Sequence, residues 1–526
     1  MMQFYTHRTI RRSAFTLIAV ALLLHIYMAC QRVEPSIADG KYYIAVAQLL
    51  SEGKPPVLDL IWQYANAPEM VAHYAFDYWM PMAAFLMAIP MWLFGPTLTA
   101  GLAATNIAAL ALAGITYMQS RRWIAGGMVA LGAAVWCYLH QATNVLALLP
   151  QSAVFYAVFG SLALWAIVLA AVRQQKAQAI LAGIAIGLAY LTRNDGVLLL
   201  PALAAAMYFS PGSWQLRLQH FLIALAAFCI TIMPYLWMNM HYQGKAFSGA
   251  FQQVLWLDDM QELANPAAPP SSEGFFARAS AHHIKLRAEA LIRNGFTTTQ
   301  GFTLFALIFA AIGIHARLRK KSRPGQLWVG VHLGYLALHF LVCGLIVPVV
   351  AVHGTYGNSL QALLPFLMIC ATYGMVAALK SYRRALLVIF VLGLSNLTYY
   401  VFFGLSSIGA ERAIAKEWQE TGAALARAGA KKTDVVMSAD SFGNRYYLGY
   451  PTVAVPTGDV RNIPRMAEKY NAAWLVTGIA AKDAIPGFMQ HTRTAKVIVW
   501  KRNELRRRAN EIKKPEIRKK ANGKKH

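Results

Sequence analysis

Apolar runs of about 20 residues recur along most of this chain, and they limit its fold more than any other feature, since a helix of that length crosses a bilayer. The mean hydropathy is +0.41 and only 14% of the 526 residues are charged. The sequence therefore predicts a polytopic α-helical membrane protein.

The formal net charge is +26, from 49 Lys and Arg against 23 Asp and Glu. A basic excess is also common in nucleic-acid-binding proteins. Here the cations lie in short loops between the apolar runs and in the tail after Lys501, as expected for a protein in contact with a membrane surface. We therefore expect membrane lipids, and no nucleic acid, as partners.

The N-terminus has several arginines within residues 8–12, ahead of an apolar run that ends near Cys30. This pattern is typical of a cleaved signal peptide, with Cys30 as a possible lipidated residue, or of an uncleaved first span. Tyr27 and Met28 are bulky where a cleavage site needs small side chains, which favours the uncleaved span. In both cases the segment after Cys30 emerges outside the membrane.

Further spans are predicted at residues 97–118, 123–141, 151–172, 177–192, 195–210, 218–239, 299–316, 327–350, 359–379 and 384–405. The proline-broken run 76–95 is interpreted as a helix at the outer interface, and the run 177–209 as two spans that meet at 192–196. With these choices the basic loops, including 317–323, lie inside. The prediction is about eleven transmembrane helices plus interfacial helices, with the N-terminus inside and the C-terminus outside.

These spans define a transmembrane domain at 1–410, with a first outer loop at 31–96 and a large outer loop at 240–298. A helix from residue 411 and short β-rich runs at 435–436, 452–455, 474–476 and 497–500 predict a small extracytoplasmic α/β domain at 411–502. The basic tail 503–526 is predicted to be disordered. Adjacent histidines at 282 and 283 point to different sides of any regular element, so a metal site there is not favoured.

Residues 37–53 form the first segment to leave the membrane. Asp39 can cap a short helix there, which Gly53 and two following prolines end. An apolar stripe that can lie along the membrane surface is predicted by residues that recur at helical spacing: Tyr42, Tyr43, Val46, Leu49 and Leu50. On local sequence alone Asp39 is either a helix cap or a functional carboxylate at the rim of a cavity.

The interiors of the predicted spans hold no Asp, Glu, Lys or Arg, and their ionisable side chains are His25, His332 and His339. Ion-coupled transporters usually place charged relays at membrane depth, so this pattern disfavours a transporter. Charged side chains are instead shared by segments on the outer side, and they indicate a functional site there: Asp39, Lys41, Lys54, Asp59, His73, Asp77, Arg193, Asp195 and His353.

Several segments occur in the order found in one class of enzymes: Asp39 with Tyr42-Tyr43 and 47–53, Tyr78–Pro81 with 93–95, the Leu-Thr-Arg-Asn-Asp-Gly of 191–196, and His353–Tyr356 with 362–365. Together they resemble the bacterial GT-C class of membrane glycosyltransferases, in particular its protein-mannosyltransferase-like and aminoarabinose-transferase-like families. The C-terminal part is similar to the extracytoplasmic domains of such enzymes.

The resemblance implies an inverting transfer of a sugar from a polyprenyl-phosphate donor to an acceptor hydroxyl, on the outer face of the bacterial inner membrane. Asp39 matches the catalytic carboxylate, which acts as general base. The residues expected to bind the donor phosphate are Lys54, Arg193 and His353, and those expected to bind substrate are Tyr42, Tyr43, His73, Asp77 and Trp79. The acceptor can be a glycan, a lipid or a protein.

Many relatives also have an acidic residue in the next outer loop that helps to hold a divalent metal ion. The corresponding loop here, near 140–152, contains no Asp or Glu, although Asp77 or Asp195 remains as another source of a carboxylate. A cofactor is therefore not expected, and a metal is not favoured. The alternatives are a flippase or transporter of lipids or lipid-linked sugars, or a catalytically silent relative.

Overall fold

The computed structural model describes residues 2–65, 68–124, 126–247, 252–479, 484–494 and 496–503. The predicted disordered tail from residue 504 onward lies outside the described residues. The described chain divides into two compact units. The first contains residues up to 56, 74–258 and 272–411, and the second contains residues 57–73, 259–271 and the chain from 412.

Helices make up most of the first unit. Those before the large outer segment are α1 Met2–Gln31, α2 Ala38–Ser51, α3 Met82–Phe94, α4 Leu98–Trp123, α5 Gly127–Leu139, α6 Gln141–Ala147, α7 Ser152–Arg173, α8 Lys176–Thr192, α9 Leu199–Tyr208 and α10 Trp214–Gln243. Those after it are α11 Ser272–Phe276, α12 Ser280–Phe302, α13 Leu304–Leu318, α14 Arg323–Leu341, α15 Pro348–Val352, α16 Tyr356–Leu360, α17 Leu364–Leu379 and α18 Tyr382–Arg427. Short 3-10 or π turns of the first unit lie at Ala75–Asp77, Asn194–Leu198, Val254–Trp256, Val342–Ile346 and Gln361–Leu363, and the 3-10 turn Met260–Ala264 belongs to the second unit.

Within the described residues, seven helical stretches are long and apolar enough to cross a membrane, and they contain α1, α4, α7, α10, α14, α17 and α18. An eighth candidate is the pair α12 and α13, which is bent by 88° at the break between them. The apolar helices α3, α5 and α8 and the stretch Asn194–Tyr208 are shorter. The polytopic helical class is confirmed, while the count of eleven spans stays a prediction.

Two helices differ from the sequence-based description. The predicted span 384–405 and the predicted helix from 411 are one continuous helix of 46 residues, α18. Most of the 23-residue helix α12 lies in the segment 240–298, for which the sequence predicted only a large outer loop. This helix ends at Phe302, and the next residue, Thr303, has a φ of +61° that changes the chain direction before α13 begins.

The second unit is built on a mixed sheet. Its strands are β1 Val57–Ile61, β2 Ala72–Tyr74, β3 Val435–Ser438, β4 Thr452–Ala454, β5 Ala472–Gly478, β6 Phe488–Arg493 and β7 Val497–Arg502, in the order β2-β1-β4-β3-β5-β7-β6. Strands β1, β4, β3 and β5 are parallel, and β7 pairs antiparallel with β5 and β6. The helices that follow β3 and β4 are α19 Ser441–Gly443 and α20 Asn462–Lys469, with a π turn at Asn444–Leu448.

Both faces of this sheet are covered. Successive side chains of a strand point to opposite faces, so Val436 packs with Leu425 of α18 on one face, while Met437 packs with Met466 of α20 on the other. A parallel sheet needs cover of this kind. The small C-terminal α/β part is therefore confirmed, and strands β1 and β2 of the first outer loop join its sheet.

Candidate active site

Asp39 lies in the first turn of α2, where a carboxylate interacts favourably with the helix dipole. The residue before the helix is Ile37, in an extended conformation, and no side chain caps the first turn. The prediction that Asp39 caps this helix is therefore wrong. Its carboxylate instead accepts a hydrogen bond from the indole N–H of Trp79.

The glycine after Asp39 allows α2 to start where it does. A Cβ on Gly40 would lie 2.9 Å from the Pro35 side chain and 3.2 Å from the Pro150 side chain. Either distance is shorter than ordinary van der Waals contact, so a larger residue would push the start of the helix away. Gly40 thus fixes the position of the neighbouring carboxylate.

The apolar side of α2 faces the protein interior and not the membrane surface, which corrects the predicted stripe. Tyr42, Tyr43 and Val46 are almost fully buried. The ring of Tyr42 lies 4.3 Å from the ring of Trp79, and its hydroxyl donates to the carbonyl oxygen of Ala75. These contacts hold α2 and the turn that carries Trp79 together.

Arg193 directly follows the last residue of α8 and is held by several elements. Its guanidinium donates to the hydroxyl of Ser359 at 3.0 Å and to the hydroxyl of Ser152 at 3.4 Å. It also lies 3.2 Å from the carboxylate of Asp195 and 3.5 Å from the carbonyl oxygen of Thr355. A side chain with this many partners is fixed in one orientation.

The turn after Arg193 depends on its glycine. A Cβ on Gly196 would lie 2.6 Å from the backbone nitrogen of Tyr190, so only glycine fits against the end of α8. The turn brings Asp195 back toward Arg193. Its carboxylate also accepts from the hydroxyl of Ser359 and lies 3.5 Å from Nε2 of His339.

Asp39, Arg193 and Asp195 line one cavity of about 310 Å³. Aromatic side chains form part of its wall, and among them are the predicted substrate residues Tyr43 and Trp79, joined by Tyr78. Apolar side chains from 254–255 and 342–350 form another part. A cavity with few charges on an apolar lining is typical of a site for a small ligand or part of a lipid.

Burial raises the pKa of the Asp39 carboxyl above its ordinary value, and the charge of Arg193 and the hydrogen bond from Trp79 partly oppose this rise. A carboxylate with a raised pKa is a stronger base than one in water. Asp39 therefore has the chemistry that a general base needs.

The other predicted site residues do not line this cavity. Lys54 is exposed and forms an ion pair with Glu52 at 2.6 Å, and His353 is exposed. Asp77 is buried in the turn before α3, and Tyr42 packs behind Trp79. His73 belongs to the second unit, where its Nδ1 lies 3.0 Å from the carbonyl oxygen of Val71. The roles of these residues stay predictions.

Sequence reasoning missed Ser152 of α7 and Ser359 of α16, and it noted His339 of α14 only as an ionisable side chain within a span. Ser152 and Ser359 contact Arg193, and His339 contacts Asp195. In each case the two residues are far apart in the sequence. No local pattern marks such residues. Tyr78, by contrast, lies within the Tyr-Trp-Met-Pro segment that carries the resemblance, so that motif was a usable signal.

A divalent metal ion does not fit these residues as they stand. No group of three or more His, Cys, Asp or Glu able to hold a metal occurs among the residues searched, which are the described ones. The carboxylate of Asp195 is already engaged by Arg193 and Ser359, and a guanidinium at that place repels a cation. A Mg²⁺ ion usually needs one or two available carboxylates.

The chain is similar in fold to solved structures that include two kinds of proteins. ArnT from Cupriavidus metallidurans, solved with undecaprenyl phosphate, matches with a TM-score of 0.57 over 92% of this chain and 97% of its own, at 14% identity. The chain has a GT-C fold. The apo form of the same ArnT matches equally well, with a TM-score of 0.57 and 15% identity over 92% of this chain and 97% of the ArnT chain.

A second structure with this GT-C fold is the archaeal oligosaccharyltransferase AglB from Archaeoglobus fulgidus, solved with an inhibitory peptide and a dolichol phosphate. It has a TM-score of 0.54 and 13% identity, over 89% of this chain and 70% of its own. Residues 80–237 match the family described as dolichyl-phosphate-mannose-protein mannosyltransferase. No curated protein sequence matches the chain. The predicted GT-C resemblance is confirmed by the fold and by this family match.

Proposed function

We propose that this GT-C protein transfers a sugar from a polyprenyl-phosphate donor to an acceptor hydroxyl, with inversion at the anomeric carbon. One observation carries the proposal: Asp39 and Arg193, which lie far apart in the sequence, line the same cavity. A general base and a fixed cation are the two groups that such a displacement requires. The polyprenyl phosphates in the related structures support this class of donor.

Asp39 takes the proton of the acceptor hydroxyl as the acceptor oxygen attacks the anomeric carbon. The new carbon–oxygen bond forms on the face opposite the phosphate, and the bond from the anomeric carbon to the phosphate oxygen breaks. The electron pair of that bond leaves with the polyprenyl phosphate. A base of this kind typically accelerates a reaction by about 10²–10⁴.

Arg193 neutralises the negative charge that develops on the leaving phosphate. Its planar guanidinium matches two phosphate oxygens at once. Ser152, Ser359 and Asp195 hold it before the donor binds, so the cation needs little rearrangement as the charge develops. Lys54 and His353 remain proposed contacts of the donor phosphate.

Substrate contacts follow the same cavity. Tyr43 and Trp79 line it, and aromatic rings offer apolar faces on which the less polar side of a sugar can pack. Tyr42, His73 and Asp77 do not line the cavity, and they remain proposed substrate-binding residues. The acceptor is a hydroxyl on a glycan, a lipid or a protein.

The transfer is proposed to be independent of metal ions and of other cofactors, with Arg193 in place of a divalent cation beside the phosphate. It is also proposed to occur on the extracytoplasmic face of a bacterial inner membrane, with the N-terminus in the cytoplasm. The large number of apolar helices makes the chain a multi-pass membrane protein.

The proposal is tested with the purified full chain and a polyprenyl-phosphate sugar labelled in the sugar. A glycosyltransferase releases unglycosylated polyprenyl phosphate and labels an acceptor extract. A flippase or transporter returns the lipid-linked sugar unchanged, in either leaflet of a vesicle. The proposal would be wrong if the donor stayed intact after long incubation with active acceptor extract while it moved between leaflets. That result would show that the protein is a transporter and not a transferase.

A further inference from the structure

The connection between α1 and α2, residues 32–37, contains a backbone conformation that is unusual for its sequence. Ser36 has a φ of +62°, in the left-handed region that side chains other than glycine rarely adopt. Such a conformation persists only where the surrounding structure holds it. Asp39 follows three residues later, so the contacts that hold Ser36 also help to place the proposed base.

A buried ion pair holds this connection. Arg32, at the start of the connection, pairs with Glu411 of α18, and the two side chains are only 1% and 2% exposed. The hydroxyl of Ser36 donates to Oε1 of the same carboxylate at 2.8 Å and accepts a hydrogen bond from the guanidinium of Arg32. Arg32, Ser36 and Glu411 thus contact one another, and Glu411 is the member that comes from a different part of the chain.

The connection packs in turn against the first turns of α2. The side chain and the carbonyl oxygen of Pro35 lie 2.9 and 3.0 Å from the place where a Cβ on Gly40 would be. Glu34 forms a buried ion pair with Lys41 of α2 at 3.5 Å. Asp39 directly precedes Gly40, so a shift of the connection moves the carboxylate of Asp39 as well.

The pair of Arg32 and Glu411 is not explained by stability. Taking two charges out of water costs about as much as their attraction returns, so apolar side chains can often replace a buried ion pair without loss of stability. Within the described residues, Nε and Nη1 of Arg32 and Oε2 of Glu411 also form no hydrogen bond, which adds to the cost of burial. What the pair does provide is a single conformation of the connection.

We propose that Glu411 is a positioning residue for the base: through Arg32 and Ser36 it fixes the connection between α1 and α2, and thereby the place of the Asp39 carboxylate. The inference rests on the proposed function of Asp39. Glu411 is not among the residues that line the cavity, so it acts on the reaction through the connection. A displacement of ~1 Å at a reacting group can cost about a hundredfold in rate, so a small relaxation of the connection slows the transfer.

The choice of variants follows from the burial of the pair. A single substitution of Glu411 leaves the charge of Arg32 buried and unpaired, which strongly destabilises a fold. The double substitution Arg32→Met with Glu411→Leu removes both charges and keeps much of the bulk of both side chains. Ser36→Ala is a milder variant, because it removes one hydroxyl and leaves the ion pair in place.

Ser407→Ala is the matched control for Ser36→Ala. The hydroxyl of Ser407 donates to the same Oε1 of Glu411 at 2.9 Å, but Ser407 lies on α18 itself. Arg32 also lies 3.4 Å from this hydroxyl. In the control both Arg32 and Ser36 keep their contacts with Glu411, so the connection stays held.

Turnover of a polyprenyl-phosphate sugar is measured with each purified full-length variant. Rates are expressed per site that binds undecaprenyl phosphate, so that loss of folded protein is not counted as loss of rate. We expect the double variant to lower kcat about tenfold to a hundredfold with an unchanged KM for the donor, whose phosphate contacts Arg193. Ser36→Ala should lower kcat about tenfold, the effect of one hydrogen bond to a charged group, and Ser407→Ala should match the unsubstituted chain.

The double substitution is also made in the Asp39→Asn chain. If Glu411 acts through Asp39, the residual rate of that chain should stay nearly unchanged. Equal fold-losses in both backgrounds, or full turnover by the double variant, would overturn the inference. If the double variant does not fold, equal turnover by Ser36→Ala and Ser407→Ala would overturn it. Near-normal turnover by Asp39→Asn alone would refute the proposed base and this inference with it, so the two failures are distinguishable.

Discussion

Replacing Asp195 by Asn tests whether the turn after α8 serves to hold Arg193. The carboxylate lies 3.2 Å from the guanidinium, and the two side chains are 18% and 15% exposed. A hydrogen bond to a charged group contributes about 1.5–3 kcal/mol. If the full amount is lost from the transition state, kcat/KM falls roughly 10- to 150-fold at ~1.36 kcal/mol per factor of ten. The assay is steady-state turnover of a polyprenyl-phosphate sugar.

A double-mutant cycle separates this role from a general loss of stability. Asp195 is a positioning residue, so its substitution should cost far less in an Arg193→Ala background than in the unsubstituted chain. Asp59→Asn is the control, because Asp59 forms a comparable pair with Arg445 at 2.6 Å in the second unit. Equal losses in both backgrounds would refute the reasoning, and so would an equal loss with the control.

Three further predictions concern the base, the metal and the topology. Because the pKa of Asp39 is raised and only its deprotonated form accepts a proton, kcat/KM should fall as pH decreases through that pKa, which lies above the ordinary 3.8; a profile flat to pH 4 would contradict this. A chelator should leave turnover unchanged while Arg193→Ala nearly abolishes it, and recovery of chelated enzyme with Mg²⁺ or Mn²⁺ would show that the metal was needed. In a Cys-free background, Ser322→Cys should resist an impermeant thiol reagent in intact cells, whereas Ser51→Cys should react. The opposite pattern would show that the chain has the inverse orientation in the membrane.

Local patterns in the sequence predicted the parts of the fold that depend on nearby residues. Hydropathy located the long spans such as α4 and α7, and β-rich runs located β3 and β5. The helix α12 was missed because its residues are largely polar, and hydropathy detects only apolar helices. The predicted gap between the span 384–405 and the helix from 411 does not exist, because loss of hydropathy does not end a helix and α18 continues through these residues.

The site shows where sequence reasoning ends. Asp39 and Arg193 were each found within motifs, and the structure brings them to one cavity. The alternative that Asp39 caps the helix was wrong because the helix begins at Ala38, after Ile37, and Asp39 lies inside its first turn. Ser152 and Ser359 could not be found, since their contacts with Arg193 join residues far apart in the sequence.

The most direct test of the proposed base is the turnover of an Asp39→Asn variant of the purified chain. Asparagine keeps the shape of the side chain and can still accept the hydrogen bond from Trp79, but it cannot take the proton of the acceptor. We predict that the rate of sugar transfer falls at least about a hundredfold, the lower end of the effect of a general base, while donor binding and folding are retained. Near-normal turnover by this variant would show that Asp39 is not the base.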